Sequence, residues 1–213
     1  IDDLGINKED IHIYFSGNEG FHVYVFNSQF QKIGSKERSE LVDYIMFRGA
    51  IPETFGMKKF KPNRSLFPDF NQKGWNGRFS KQVFGSKSKR SKIISELLDN
   101  GYPSFQKILD DVSENIGVKI DPNVTMDIHR IFRLPGSINS KSGLTKILCT
   151  DITKFDPYTD ACFLNDDSVE VLANCPIEFK LKNKKFGPYI NEKISLPTYA
   201  AVYLICKKLA IIA

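Results

Sequence analysis

Apolar and polar positions alternate most sharply over residues 11–26, "IHIYFSGNEGFHVYVF". That period predicts two strands, with Ile11, Ile13 and Phe15 on one face of the first and Phe21, Val23 and Val25 on one face of the second. The Gly-containing loop "SGNEG" joins them as a hairpin, and His22 points to the opposite face. The pattern then changes to spacings of three and four in "SKERSELVDYIMFRG", where Leu41, Val42, Ile45 and Met46 line one side of a helix. Ser35 is its expected N-cap and Gly49 its stop.

From about residue 50 to 91 no period is visible, and Pro, Gly, Asn, Lys and aromatic residues mix freely. So long an irregular stretch is expected to be functional or mobile. Helices are predicted over about 91–99, with Ile93, Ile94, Leu97 and Leu98 inward, and over about 103–116, with Phe105, Ile108, Leu109, Val112 and Ile116 inward. "NVTMDIHRIFRL" alternates again and predicts a strand, so that Asp127 projects away from Met126 and Ile128. Strand-like and turn-like pieces follow through "FDPYTDACFL" and "VEVLANCPIEFKLK", before a closing helix over about 197–212. The fold class is α/β in the α+β sense: a mixed sheet flanked by helices.

Composition narrows the picture. A chain of 213 residues with 41% hydrophobic content can bury a sizeable core, as one large domain or one domain with a small appendage. Its net charge of +5 favours an anionic partner, although many ordinary soluble proteins are as basic. Cys149, Cys162, Cys175 and Cys206 form no Cys-x-x-Cys pair and have no histidines at zinc-finger spacing, which fits free thiols in a reducing cytoplasm. The most apolar segment, "YAAVYLICKKLAIIA", is too short to span a bilayer and is broken by Lys207 and Lys208, so no membrane partner is expected. The first residues, "IDDLGINKED", read as the end of a helix entering a turn, and an upstream segment is expected.

The candidate chemistry concentrates in "MDIHRIFRLPGSINSKSGL". Asp127 stands close in sequence to Arg130, Arg133 and Lys141, a combination suited to a site where a divalent metal meets polyphosphate. On residue types alone, such a cluster is more often a set of solvated ion pairs. His22 stands beside a turn whose Gly17 and Gly20 amides allow close approach, and suits donation to phosphate oxygens. His12 and His129 have less to recommend them. Lys87, Lys89, Arg90 and Lys92 gather near a helix N-terminus, where cations oppose the dipole, so that contact with a phosphate backbone is an attractive use for them. Trp75, in "GWNGR", is either a base-stacking platform or a core anchor.

Two islands, "YFSGNEGFHVYV" and "VTMDIHRIFRLPGSINSKSGL", together resemble the catalytic small subunit of archaeal and eukaryotic DNA primases, in the archaeo-eukaryotic primase superfamily, the archaeal form more closely. The first is similar to that family's Ser-Gly-x-x-Gly-x-His motif. The second is similar to its Asp-x-x-Arg-x-x-Arg-x-Pro-x-Ser-x-His-x-Lys-x-Gly-Leu motif. The resemblance implies a prim-pol fold and two-metal nucleotidyl transfer with Mg²⁺ or Mn²⁺, making primers from nucleoside triphosphates on a single-stranded DNA template. It implies Asp127 as a metal ligand and Ser16, His22, Arg133 and Lys141 as contacts to the incoming triphosphate. The template would lie along a basic groove, for which Lys87, Lys89, Arg90, Lys92 and Trp75 are the candidates.

The sequence departs from the family at three points. The Asp-x-Asp pair that supplies the other metal ligands has no counterpart; Asp2 and Asp3 are adjacent, and adjacent side chains on a strand face opposite ways. Asn139 stands where the family has histidine, keeping a hydrogen-bond donor but no charge, and Glu19 stands at a loop position often held by arginine. The expectation is therefore a C-terminal part of a primase small subunit, with the fold and the metal centre completed by an N-terminal half that bears Asp-x-Asp, beside a primase large subunit. The family's zinc knuckle belongs to that N-terminal part, so no zinc is expected here. The rival expectation is a non-catalytic primase-like module that binds nucleic acid or scaffolds other subunits.

Overall fold

The computed structural model describes residues 1–60 and 62–213. The chain forms two compact units that interleave along the sequence, one from Ile1–Ile6 and Ser28–Arg130, the other from Asn7–Asn27 and Ile131–Ala213. Helices α1 (Ser28–Gln31), α2 (Ser35–Met46), α3 (Gly74–Phe79), α4 (Lys87–Ile116) and α5 (Pro122–Met126) belong to the first unit, and every described strand belongs to the second.

Within the helical unit, α2 runs where its spacing predicts, with Val42 fully buried. Gly34 rather than Ser35 is the N-cap, and the helix ends at Phe47 in a left-handed conformation, just before Gly49. α4 is two helical stretches joined at Gly101, whose φ of 78° and ψ of 179° no helix contains. Pro103 then opens the second stretch, where its missing N–H costs nothing. The two predicted helices are thus present, the first beginning earlier, at Lys87.

The stretch 50–91 corrects the expectation of an irregular loop. It contains 3₁₀ turns at Pro52–Phe55 and Arg64–Leu66, then α3, then a π turn at Ser80–Phe84. These elements are too short to establish a period. Phe55, Phe67, Phe79 and Phe84 from this stretch join Phe47 and Phe105 in the core of the unit. Each buried phenyl ring contributes about 1.5–3 kcal/mol, so the segment is held by packing.

In the β unit, β1 (Ile11–Phe15) is the centre of an antiparallel sheet, flanked by β2 (Phe21–Val25) and β3 (Ile147–Leu148). The hairpin register sets Ile11 against Val25 and Phe15 against Phe21, as alternation predicts. Burial differs from the pattern: Phe15 is buried, whereas Val23 on the same face is 64% exposed.

β4 (Ser168–Cys175) is the centre of a second sheet, between β7 (Tyr189–Pro197) and β8 (Ala210–Ile212). β5 (Phe179–Leu181) and β6 (Lys184–Phe186) form a ribbon. Helices α6 (Pro157–Asp160) and α7 (Thr198–Cys206) complete the unit. Tyr199, Ala200, Ala201 and Leu204 of α7 are buried in one core with Val171, Ala173 and Leu144. The closing helix predicted to 212 stops at Cys206. Lys208 takes a left-handed turn, and Ala210–Ile212 pairs with β4, as suits a β-branched run.

The α+β class is therefore present, with all described pairings antiparallel and distributed over three sheets rather than one mixed sheet. Among the described residues no helix is long and apolar enough to cross a membrane.

Candidate functional site

The β1–β2 loop and the segment after Arg133 interlock in the β unit. Gly17, at φ 85°, lies so close to the second segment that a Cβ there would stand 3.1 Å from Leu144 O and 3.2 Å from Asn139 Cβ. A Cβ there would press on these neighbours at a φ that L side chains rarely adopt, so glycine suits the approach. The Ser142 hydroxyl donates to Gly17 O across the same seam, and Arg133 donates from a guanidinium N–H to Ser16 O at 3.1 Å.

Inside the loop the Ser16 hydroxyl donates to Glu19 O at 2.7 Å and accepts from Asn18 N–H, so its proton shapes the turn. Glu19 itself is exposed. Asn139 is buried and closes the second turn: its Oδ1 accepts the Lys141 N–H at 2.8 Å, and its backbone carbonyl accepts the Gly143 N–H. Lys141 is left exposed beside it. The sequence-predicted residues Ser16, His22, Arg133, Asn139 and Lys141 thus all fall on this unit, His22 on β2 and the others on two segments joined by the Arg133 guanidinium and the Ser142 hydroxyl.

One residue that sequence reasoning missed is Lys146, which is fully buried. It stands just before β3, and alternation turns it to the same face of the sheet as Tyr14, His22 and Tyr24. Its Nζ donates to the Tyr24 hydroxyl and to Arg133 O at 2.8 Å, and lies 3.4 Å from His22 Nδ1. The Tyr24 ring lies 4.7 Å away and the Tyr14 ring 5.8 Å. The available signal was a lysine inside the apolar run "GLTKILC". The His22 ring also meets Phe132 edge-on, with centroids 6.1 Å apart.

Asp127 belongs to the helical unit, and not on a strand as predicted. Asp121 accepts the Asn123 N–H as N-cap and Pro122 follows at the first helical position, so this segment opens α5 and Asp127 is its exposed C-cap. Its Oδ1 accepts the His129 N–H at 2.9 Å. Arg130 pairs with Asp121 at 3.3 Å. Among the described residues no group of three or more Asp, Glu, His or Cys side chains could hold a metal ion. A divalent pair needs several oxygen ligands, and Asp127 with its neighbours does not supply them.

The residues suggested for a template are also in the helical unit. Arg90 donates to Phe67 O at 2.7 Å and Pro68 O at 3.1 Å, and Lys92 pairs with Glu96. Lys87 and Lys89 are exposed on the first turn of α4. Trp75 donates to Tyr44 O at 2.6 Å and packs on Phe47, with centroids 4.4 Å apart. Arg78 covers its ring and bonds Asp3, whose carboxyl that guanidinium holds below the usual carboxylate range.

Residues 1–150 match the family of DNA primase small subunits. Over 211 residues the chain is 81% identical to a DNA primase small subunit, PriS, of Nitrosopumilus maritimus, covering 99% of this chain and 57% of that protein. The PriS of Cenarchaeum symbiosum is 48% identical over 98% of this chain and 56% of its own length. That of Archaeoglobus fulgidus is 30% identical over 96% and 59%. The chain thus spans a little over half the length of these relatives.

Proposed function

As the chain belongs to the DNA primase small subunit family, we propose that it is the part of a primase catalytic subunit that holds the triphosphate of an incoming nucleotide during primer synthesis on single-stranded DNA. The observation that supports this reading is the pair of interlocked segments on the β unit, where the Arg133 guanidinium reaches Ser16 O, the Ser142 hydroxyl reaches Gly17 O, and Lys146 lies between Arg133 O and His22. Arg133 and Lys141 neutralise phosphate charge, Arg133 with the N–H groups that Ser16 O does not take. His22 donates to a phosphate oxygen. Ser16 and Asn139 act through the shape of their turns, since the Ser16 proton and Asn139 Oδ1 already have backbone partners.

Two-metal transfer with Mg²⁺ or Mn²⁺ needs carboxylates beyond Asp127. We assign them to an Asp-x-Asp-bearing N-terminal part, with a primase large subunit as the further partner and Lys87 and Lys89 as contacts to template phosphates. A cytoplasmic location follows from a role in DNA replication.

The test is Asp127→Ala in an enzyme that contains the Asp-x-Asp part. Primer synthesis should be lost while nucleotide binding persists, and full activity would overturn the assignment of Asp127. A second reading, a non-catalytic module, is favoured by Glu19 and Asn139, which leave this site two cations short of the family pattern. It predicts that adding the Asp-x-Asp polypeptide restores no metal-dependent incorporation of nucleotides.

A further inference from the structure

Lys146 is a lysine with no exposed surface and, among the described residues, no carboxylate within ion-pair distance. A buried charge without a counter-ion is costly, and proteins retain few of them. Here the ammonium is surrounded by a phenol oxygen, a backbone carbonyl, an imidazole nitrogen and the faces of Tyr24 and Tyr14. We propose that Lys146 is a positioning residue of the triphosphate site: it fixes His22 as the tautomer with its proton on Nε2 and ties that ring to the segment that carries Arg133.

An ammonium group has three N–H donors and no acceptor. The nitrogen it faces, His22 Nδ1, must therefore present its lone pair, which leaves the imidazole proton on Nε2. The other two N–H bonds go to Tyr24 and to Arg133 O, and they tie the lysine to β2 and to the segment that carries the site's arginine. The alternation of β2 puts His22 and Tyr24 on one face, and Tyr14 lies opposite His22 on β1, so these three side chains enclose the ammonium. The anion that balances the buried charge is then the ligand itself. This inference rests on reading the site as a triphosphate pocket, and the experiment separates the two.

Long-range ¹H–¹⁵N correlation on protein labelled at histidine reports the tautomer of each ring. With three histidines, His12→Gln and His129→Gln assign the His22 signals by elimination. The expected result is a bare Nδ1 and a protonated Nε2 for His22, together with a shift of its signals on addition of inorganic triphosphate. In Lys146→Met the single-tautomer pattern should be lost and triphosphate affinity should fall by about tenfold or more, the loss of one charge-assisted contact. A protonated Nδ1 in the unaltered protein would overturn the proposal, even if Lys146→Met fails to fold. The expected tautomer with no response to inorganic triphosphate would support the Lys146 assignment and overturn the pocket.

Discussion

The proposed site asks two tasks of the Arg133 guanidinium: one N–H bonds Ser16 O, and the exposed residue is to meet phosphate with the others. Arg133→Ala should therefore lower nucleoside triphosphate affinity by roughly 10- to 100-fold, the range for losing a hydrogen bond to a charged group, as read by calorimetry. Lys141→Ala should cost less, because a compact ammonium on an exposed stem offers no bidentate fork to phosphate. Asp3 offers a test in the helical unit. The hydrogen bond from Arg78, helped by one from Tyr44, lowers its folded-state value. A lowered carboxylate contributes stability that is present above its unfolded value and is lost as pH falls through the folded one. Acid titration should thus loosen this contact below about pH 4, and the single tryptophan, Trp75, reports it by fluorescence because Arg78 lies over its ring. Asp3→Asn should remove that transition.

At the scale of elements, the seam at Gly17 is the most demanding local structure of the site. Gly17→Ala should destabilise the protein by roughly 1–3 kcal/mol, from its positive φ and the contacts its Cβ would make, with chemical denaturation as the measure. That glycine was legible as part of a hairpin loop, since alternation on both sides of it is unambiguous. The same alternation misled at "VTMD", where Asp121 and Pro122 start a helix whose five residues are too few to override the period by eye. At the C-terminus, an apolar run compatible with helix or strand was divided between α7 and β8 by a left-handed turn at Lys208. The phenylalanines of 50–91 were visible in the sequence, but their burial depends on partners such as Phe47 and Phe105 that no local pattern connects to them. Lys146 was hidden for the same reason: its partners come from β1, from β2 and from Arg133.

At the scale of the whole molecule, neither unit is a continuous segment. Residues 131–213 lack β1, the strand that pairs with both β2 and β3. A fragment of 131–213 should fail to fold cooperatively by itself, and addition of a peptide covering 7–27 should restore dispersed amide signals in a nuclear magnetic resonance spectrum. Recovery without the peptide would show that β4, β7 and β8 suffice. The division of labour also explains how the motifs were found before the fold. The first island and the part of the second from Ile131 onward lie in one unit, whereas the opening of the second, with Asp127, and the candidate template cations belong to the other.

The interleaved order has a consequence in time. On the ribosome the β1–β2 hairpin emerges before the continuous stretch Ser28–Arg130, and that stretch is made before Ile147 and Leu148 appear to pair with Phe15 and Tyr14. At ordinary rates of synthesis that interval is on the order of ten seconds, long enough for the helices to pack. Throughout it one side of β1 carries unpaired amides, and its neighbour β2 exposes Val23, so the nascent hairpin is the segment at which a growing chain would associate with another. The step that brings the two interlocked segments together is thus the last of the hairpin's pairings to form, and slowing elongation between Arg130 and Leu148 should lower the yield of soluble protein more than slowing it elsewhere.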